Sequence, residues 1–253
     1  MTAPSSSNTK WGLPRALVEP TFPTPGMHIG GYTLLDRAHN HPFAERWIAR
    51  PEHPGDTDHP HRRVLLYRVT APITRDAQPA ALDHPHILRA DETTIRTGAG
   101  RWLVAAYPGR WGQVFTLDHV VRSRETGGFG PNEAALLAQH LLAAAAHAHD
   151  AGVCHGPIDP SEIVLSPAGQ AKIELYALKR RLRAERDFDD QSASQEVASI
   201  ASLARALAPV ERHARRARPL HRWAQSVTDR APDDGIDARA ALDELVAAMR
   251  LPA

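Results

Sequence analysis

Apolar residues recur at helical spacing between 133 and 150: Leu136, Leu137, Leu141, Leu142, Ala145 and Ala148. This spacing predicts an amphipathic helix with a wide apolar face. Its many alanines let neighbours approach closely, and Gly152 stands where a left-handed residue would close it. Two short apolar runs follow, 163–165 and 172–176, on either side of Ser166-Pro167-Ala168-Gly169. They read as a β-hairpin. Upstream, residues 32–35, 47–50, 63–69, 93–95 and 101–106 are predicted strands. Residues 70–82 are expected to hold one helix, although Pro72 and Pro79 suit a helix interior poorly. Residues 117–122, 194–207 and 237–249 are predicted helices, and 127–130 a flexible Gly-rich loop.

Residues 155–165 read His-Gly-Pro-Ile-Asp-Pro-Ser-Glu-Ile-Val-Leu, and an aromatic, Tyr176, follows the second apolar run. This order of helix, tight loop, hairpin and aromatic resembles the core of the protein-kinase family, which reads H-R-D-L-K-P-x-N-I-L-L and then D-F-G. Leu82-Asp83-His84-Pro85-His86-Ile87 is similar to the family's L-x-H-P-x-I. The resemblance spans about 29–250. It implies an α+β, two-lobed fold, with a small β-rich N-lobe at 28–109, a mainly helical C-lobe at 110–253 and a shortened activation segment. Glu196 falls at the aspartate of the family's D-V-x-S-L-G helix, and Ala201 at its glycine.

The same alignment implies that the chemistry is gone. Phosphoryl transfer needs cradled phosphates, magnesium and a carboxylate near the attacking hydroxyl. The catalytic aspartate becomes Pro157, the magnesium-binding asparagine Glu162 and the D-F-G aspartate Leu175. The three glycines of the phosphate loop become His39, His41 and Ala44, and its valine Arg46. The phosphate-pairing lysine becomes Tyr67 or Arg68, since alternation alone leaves the register open. Its carboxylate partner falls near Arg75. The A-P-E glutamate is missing, and the arginine that would pair with it falls on Gly235. Asp159 sits at the lysine position beyond the lost base. His155 fits the family's structural histidine, and Cys154 reads as a small core residue. A loop histidine in solvent is the expected state of His39 and His41, and a surface cation that of Arg68.

Composition narrows the rest. The chain has 253 residues and a formal net charge of +1, so nothing pulls it as a whole towards nucleic acid or membrane. One cysteine excludes an internal disulfide and fits a reducing compartment. No stretch approaches the ~20 apolar residues of a membrane span, and residues 1–10 lack a signal-peptide core. A cytoplasmic, bacterial protein is expected. Residues 1–27 are rich in Ser, Thr and Pro and are expected to be disordered. One basic run, 179–186, reads as a solvated helix face, and 212–222 is basic again.

These readings converge on a pseudokinase. It would have no phosphotransferase activity, no cofactor and no metal, and would serve as a regulatory or scaffold module for a protein partner. Nucleotide binding is expected to be weak or absent. One alternative is a nucleotide-gated switch, or an enzyme with rearranged chemistry, using Glu162 and Arg68. Another is a nucleic-acid adaptor using the two basic runs, although nucleic acid is not the expected partner.

Overall fold

The computed structural model describes residues 22–38, 41–52, 63–70, 77–97, 100–106, 115–123, 129–166, 168–208, 210–231 and 235–250. The first part of the chain is a six-stranded antiparallel sheet. It is built from β1 (His28–Ile29), β2 (Tyr32–Arg37), β3 (Ala44–Pro51), β4 (Val64–Val69), β6 (Ala90–Thr97) and β7 (Gly100–Ala106), in the order β1-β2-β3-β4-β7-β6. The predicted strands are all there, several of them longer than the pattern suggested. Gly26 and Met27 bond to Leu34 on β2, so residues 22–27 lie along the sheet. Residues 1–21 lie outside the described residues.

A second, four-stranded sheet floors the other half. Its order is β5-β10-β9-β8, from β5 (Ile87–Leu88), β8 (Phe115–Thr116), β9 (Ile163–Leu165) and β10 (Ala171–Glu174). The β9–β10 pair is the expected hairpin, and β5 lies parallel to β10. Around it pack α1 (Leu117–Ser123), α2 (Pro131–Asp150), α3 (Leu178–Leu182), α4 (Asp190–Leu207), α5 (Val210–Arg230) and α6 (Ala238–Arg250). The central helix α2 buries Leu137, Leu141, Leu142, Ala145 and Ala148 against α4 and α6. Gly152, at φ 70°, ends it in the left-handed conformation that an L side chain rarely adopts.

Three expectations differ from the structure. Residues 77–82 form no helix; Arg101 donates to the Ala77 carbonyl and Pro79 sits between. Residues 71–76, with Arg75, lie outside the described residues. Phe129 is not part of a loose loop: its ring is buried in the helical core and its N–H donates to Leu207 O at 3.0 Å. The second basic run lies within a long helix, α5, that the sequence pattern did not suggest. Among the described residues, no helix is long and apolar enough to cross a membrane.

Candidate functional site: a filled interlobe cleft

The two sheets face each other across a seam, and one apolar cluster crosses it. Phe43, Ala44, Leu65, Tyr67 and Leu103 come from the large sheet; Val164, Leu175, Leu178 and Leu182 come from the other side. Leu175 is 1 % exposed. Its backbone is left-handed at φ 47°, a conformation that disfavours a leucine by about 1–2 kcal/mol. Burial of the side chain, worth about 1.5–3 kcal/mol, offsets that strain. The Leu178 N–H also donates to Leu175 O at 3.0 Å, which fixes the turn.

A polar clamp sits beside this cluster. Arg46 on β3 and Tyr67 on β4 are cross-strand neighbours, so both point into the seam. Glu174, the last residue of β10, receives both. The Arg46 guanidinium pairs with Glu174 Oε2, and Tyr67 Oη donates to Glu174 Oε1 at 2.5 Å. Arg46 Nη2 also reaches the Ser161 carbonyl at 3.0 Å. All three side chains are buried, and the arginine lies near the tyrosine ring, 5.9 Å from its centroid. Burial disfavours the Arg46 charge, but Glu174 and Tyr67 outweigh it and hold the guanidinium above its usual value. Burial raises the Glu174 carboxyl despite its two donors, and raises the Tyr67 phenol strongly. The clamp ties the large sheet to the hairpin and to the loop before it.

Register is thereby settled. Tyr67 faces the cleft. Arg68 points the other way and pairs with Glu45, its cross-strand partner, at 2.9 Å. The phosphate-loop positions divide as follows. His39 lies outside the described residues. His41 is not a solvent histidine: it is 4 % exposed, edge-on to Phe43 at 4.2 Å, and both its nitrogens lack a hydrogen-bond partner. Burial, then the charge of Arg46, hold its pKa well below the usual value, so the ring is neutral. Ala44 is buried in the seam.

The loop that would carry catalysis is a closed structural unit. Asp159 caps the one-turn helix Pro160–Glu162 by accepting from Ser161 N at 2.8 Å and from Ser161 Oγ at 2.5 Å. Glu162 answers by accepting from Asp159 N at 2.8 Å. This reciprocal capping box is a folding device. Glu162 is fully buried rather than open to a cation, with Lys179 at 3.6 Å and His155 at 3.4 Å. Burial pushes its carboxyl up, but His155, Lys179 and His41 outweigh burial and bring it to about 2. His155 Nδ1 accepts from Ala177 N at 3.2 Å, so Nε2 carries the proton and faces Glu162. Pro157 offers only its carbonyl, which accepts from Lys179 Nζ at 2.9 Å. Among the described residues, no group of three or more His, Cys, Asp or Glu side chains is placed to hold a metal ion.

Below the loop lies a second buried carboxylate, Glu196 on α4. Its Oε2 accepts from the backbone N–H of His155 at 2.6 Å and of Gly156 at 3.1 Å. Its Oε1 accepts from the Tyr176 hydroxyl. Cys154 is buried alongside, and burial raises its thiol pKa. Gly156 stands where the kinase motif has arginine, and a guanidinium arrives there from elsewhere. Arg180 on α3 is buried and binds Arg186 O at 2.8 Å, Asp189 Oδ2 at 2.5 Å and the Ser192 hydroxyl. Arg181 binds Asp187 at 2.8 Å. The first half of the basic run, Lys179 to Arg181, is therefore tied internally, while Arg183 and Arg186 stay exposed as the spacing suggested.

Sequence reasoning missed Glu174 and Arg180 and saw Arg46 only as a lost valine. One signal was available: opposite charges in two strands otherwise built to be buried.

Neither a protein-family profile nor any curated protein matches the sequence. Solved structures do. The kinase domain of PknI from Mycobacterium tuberculosis, in a double-mutant form, superposes with a TM-score of 0.68 at 18% identity, covering 90% of this chain and 100% of that one. A second structure of that domain gives 0.64 at 18% identity, covering 89% and 99%. The chain has a protein-kinase-like fold, with a β-sheet N-lobe and a helical C-lobe.

Proposed function

We propose that the chain is a pseudokinase that transfers no phosphate and works as a regulatory or scaffold module for a protein partner. One observation carries this reading: an internal Arg46–Glu174–Tyr67 clamp occupies the interlobe cleft that, by the resemblance, would receive a nucleotide. Leu175 and Phe43 fill the space beside it. A nucleotide would have to displace a buried ion pair, and opening such a pair strands two charges at a cost of about 3–5 kcal/mol. The residues at the catalytic positions add support. Pro157 accepts no proton from a hydroxyl, Leu175 binds no metal, and the Glu162 carboxylate is turned to capping. Locked lobes present one fixed outer surface, which suits docking better than switching.

The test is ATP–magnesium binding by calorimetry together with transfer of labelled phosphate to the protein or a generic substrate. No transfer is expected, and no dissociation constant below the millimolar range. Magnesium-dependent micromolar binding would overturn the reading and favour a nucleotide-gated switch. Glu162→Ala would then show whether that carboxylate serves the nucleotide.

A further inference from the structure

The two basic runs differ in how much of each the molecule uses. Arg180, Arg181 and Lys179 are tied into the molecule. On α5, Arg215, Arg218 and Arg222 are exposed and, among the described residues, have no carboxylate partner. Their spacing of three and four residues puts them on one stripe. It lies opposite the buried stripe of Ala217, Leu220, Ala224 and Val227. Gln225 continues the stripe, accepting from exposed Arg205 of α4 at 2.5 Å and donating to Asp229 Oδ1 at 2.6 Å, so a carboxylate closes the stripe at its C-terminal end. Three guanidinium groups thus line about 10 Å of one face of α5, with Arg205 of α4 beside them. The chain's net charge is only +1, so this is local concentration rather than overall basicity.

We propose that this arginine stripe docks an acidic segment of a partner protein, with Asp or Glu carboxylates repeating every three to four residues. The inference rests on the protein-binding reading above. Arginine forks pair carboxylates bidentately, and three- and four-residue spacing matches the face of an acidic helix. Nucleic acid fits less well. Trp223, the aromatic of this helix, is buried and donates to Ala241 O at 3.0 Å, so no ring stands free to stack a base.

Binding of a labelled poly-glutamate peptide of about 15 residues, with poly-dT of the same length as rival, tests the idea at low and moderate salt. Poly-glutamate should bind more tightly than poly-dT, and weaken as salt rises. R215E/R218E/R222E should lose at least about tenfold in affinity. R215Q/R218Q/R222Q should lose nearly as much, should the charge-reversed protein fail to fold. R215K/R218K/R222K keeps the charge and should still lose several-fold, because the planar fork is gone. The proposal fails if poly-glutamate does not bind, if the glutamine variant binds it as well as the parent, or if poly-dT binds more tightly. The stripe is on the helical lobe, so ATP binding in the cleft would leave this result untouched while defeating the pseudokinase reading.

Discussion

Two buried glutamates, each bonded by a tyrosine, hold this molecule in different ways. Glu196 lies inside the helical lobe and takes the backbone N–H groups of His155 and Gly156 together with the Tyr176 hydroxyl. Glu174 lies between the lobes and takes side chains, Arg46 and Tyr67. The difference is one of replaceability. A side-chain donor can be mutated away with its acceptor, but a backbone N–H cannot. The Glu196 site is consequently constrained to an acceptor, while the Glu174 site was free to be rewritten.

The largest effect should come from Glu196→Ala. It leaves two backbone donors and a phenol buried without an acceptor, at about 1–3 kcal/mol each. The sum approaches the whole stability of an ordinary domain. Chemical denaturation should show a largely unfolded protein, and a second substitution, Tyr176→Phe, should recover only the phenol's share. Arg46→Ala or Glu174→Ala alone should lower stability by about 3–5 kcal/mol, since each strands a buried charge. Here a compensated variant should work. R46M/Y67F/E174L removes the three polar side chains at once, leaving only the partly exposed Ser161 carbonyl without its donor, and should melt within a few degrees of the parent. If it is as damaged as the single variants, the two glutamates do not differ as argued.

Leu175→Ala ranks next. It removes a side chain at the centre of the seam while keeping the left-handed backbone, and should lower stability by about 2–5 kcal/mol. An unchanged melting temperature would mean that the cleft is not packed as described.

The place of Glu196 was legible in the sequence, though not its partners; the Glu174 site was not legible at all. Glu196 sits in a helix with a family pattern, at the position of that pattern's aspartate. The hairpin, α2, α6 and most strands of the large sheet follow from periodicity, because each buries a face against one neighbour. The clamp depends instead on which strand face meets the other lobe, and that is a property of two elements 128 residues apart in the chain. Alternation placed Glu174 within a strand and left Arg46 in the loop before one, and gave no means of seeing that the two meet. Arg180 was hidden for a similar reason. Its helix is only Leu178–Leu182, too short for a period to separate buried from exposed.

Acid should loosen the protein in two separate steps. His84, His86, His140 and His147 form a ribbon of rings between the β5 loop and α2, with His86 stacked on His140 at 4.0 Å and His84 on His147 at 5.1 Å. Burial first, then neighbouring imidazoles, bring His84 and His140 to about 4, and burial lowers His86 as well. Lys172 also faces His84 and His86. A lowered folded pKa means that the unfolded chain takes up protons first. Stability should therefore fall as pH drops from about 6.5 to about 4. The rings are partly exposed, so solvent screening leaves about 1 kcal/mol for each. Glu162 has the same sign in a lower window, full above 4.5 and lost towards about 2. Melting followed by circular dichroism across pH should resolve both. His84→Asn with His140→Gln should shrink the upper step and leave the lower one, with His86 and the buried His41 supplying what remains above, and a single step below pH 4.5 in the parent would count against the ribbon.

The smallest contrast is between the neighbours Tyr67 and Arg68, which alternation could not tell apart. Tyr67→Phe removes a buried donor from Glu174 and should lower stability by about 1–3 kcal/mol. Arg68→Ala breaks a cross-strand pair with Glu45 on the outer face of the sheet, where such pairs contribute about 0–1 kcal/mol. The two positions also differ in how salt acts on them. The Arg68–Glu45 pair is partly open to solvent, so raising ionic strength should weaken it and shrink the Arg68→Ala effect in part. Tyr67→Phe should keep its full effect in the same buffers, since the Glu174 carboxylate it leaves behind is out of reach of ions. Equal effects at both positions, or a salt-sensitive Tyr67→Phe, would place the wrong residue in the cleft and undo the clamp between the lobes.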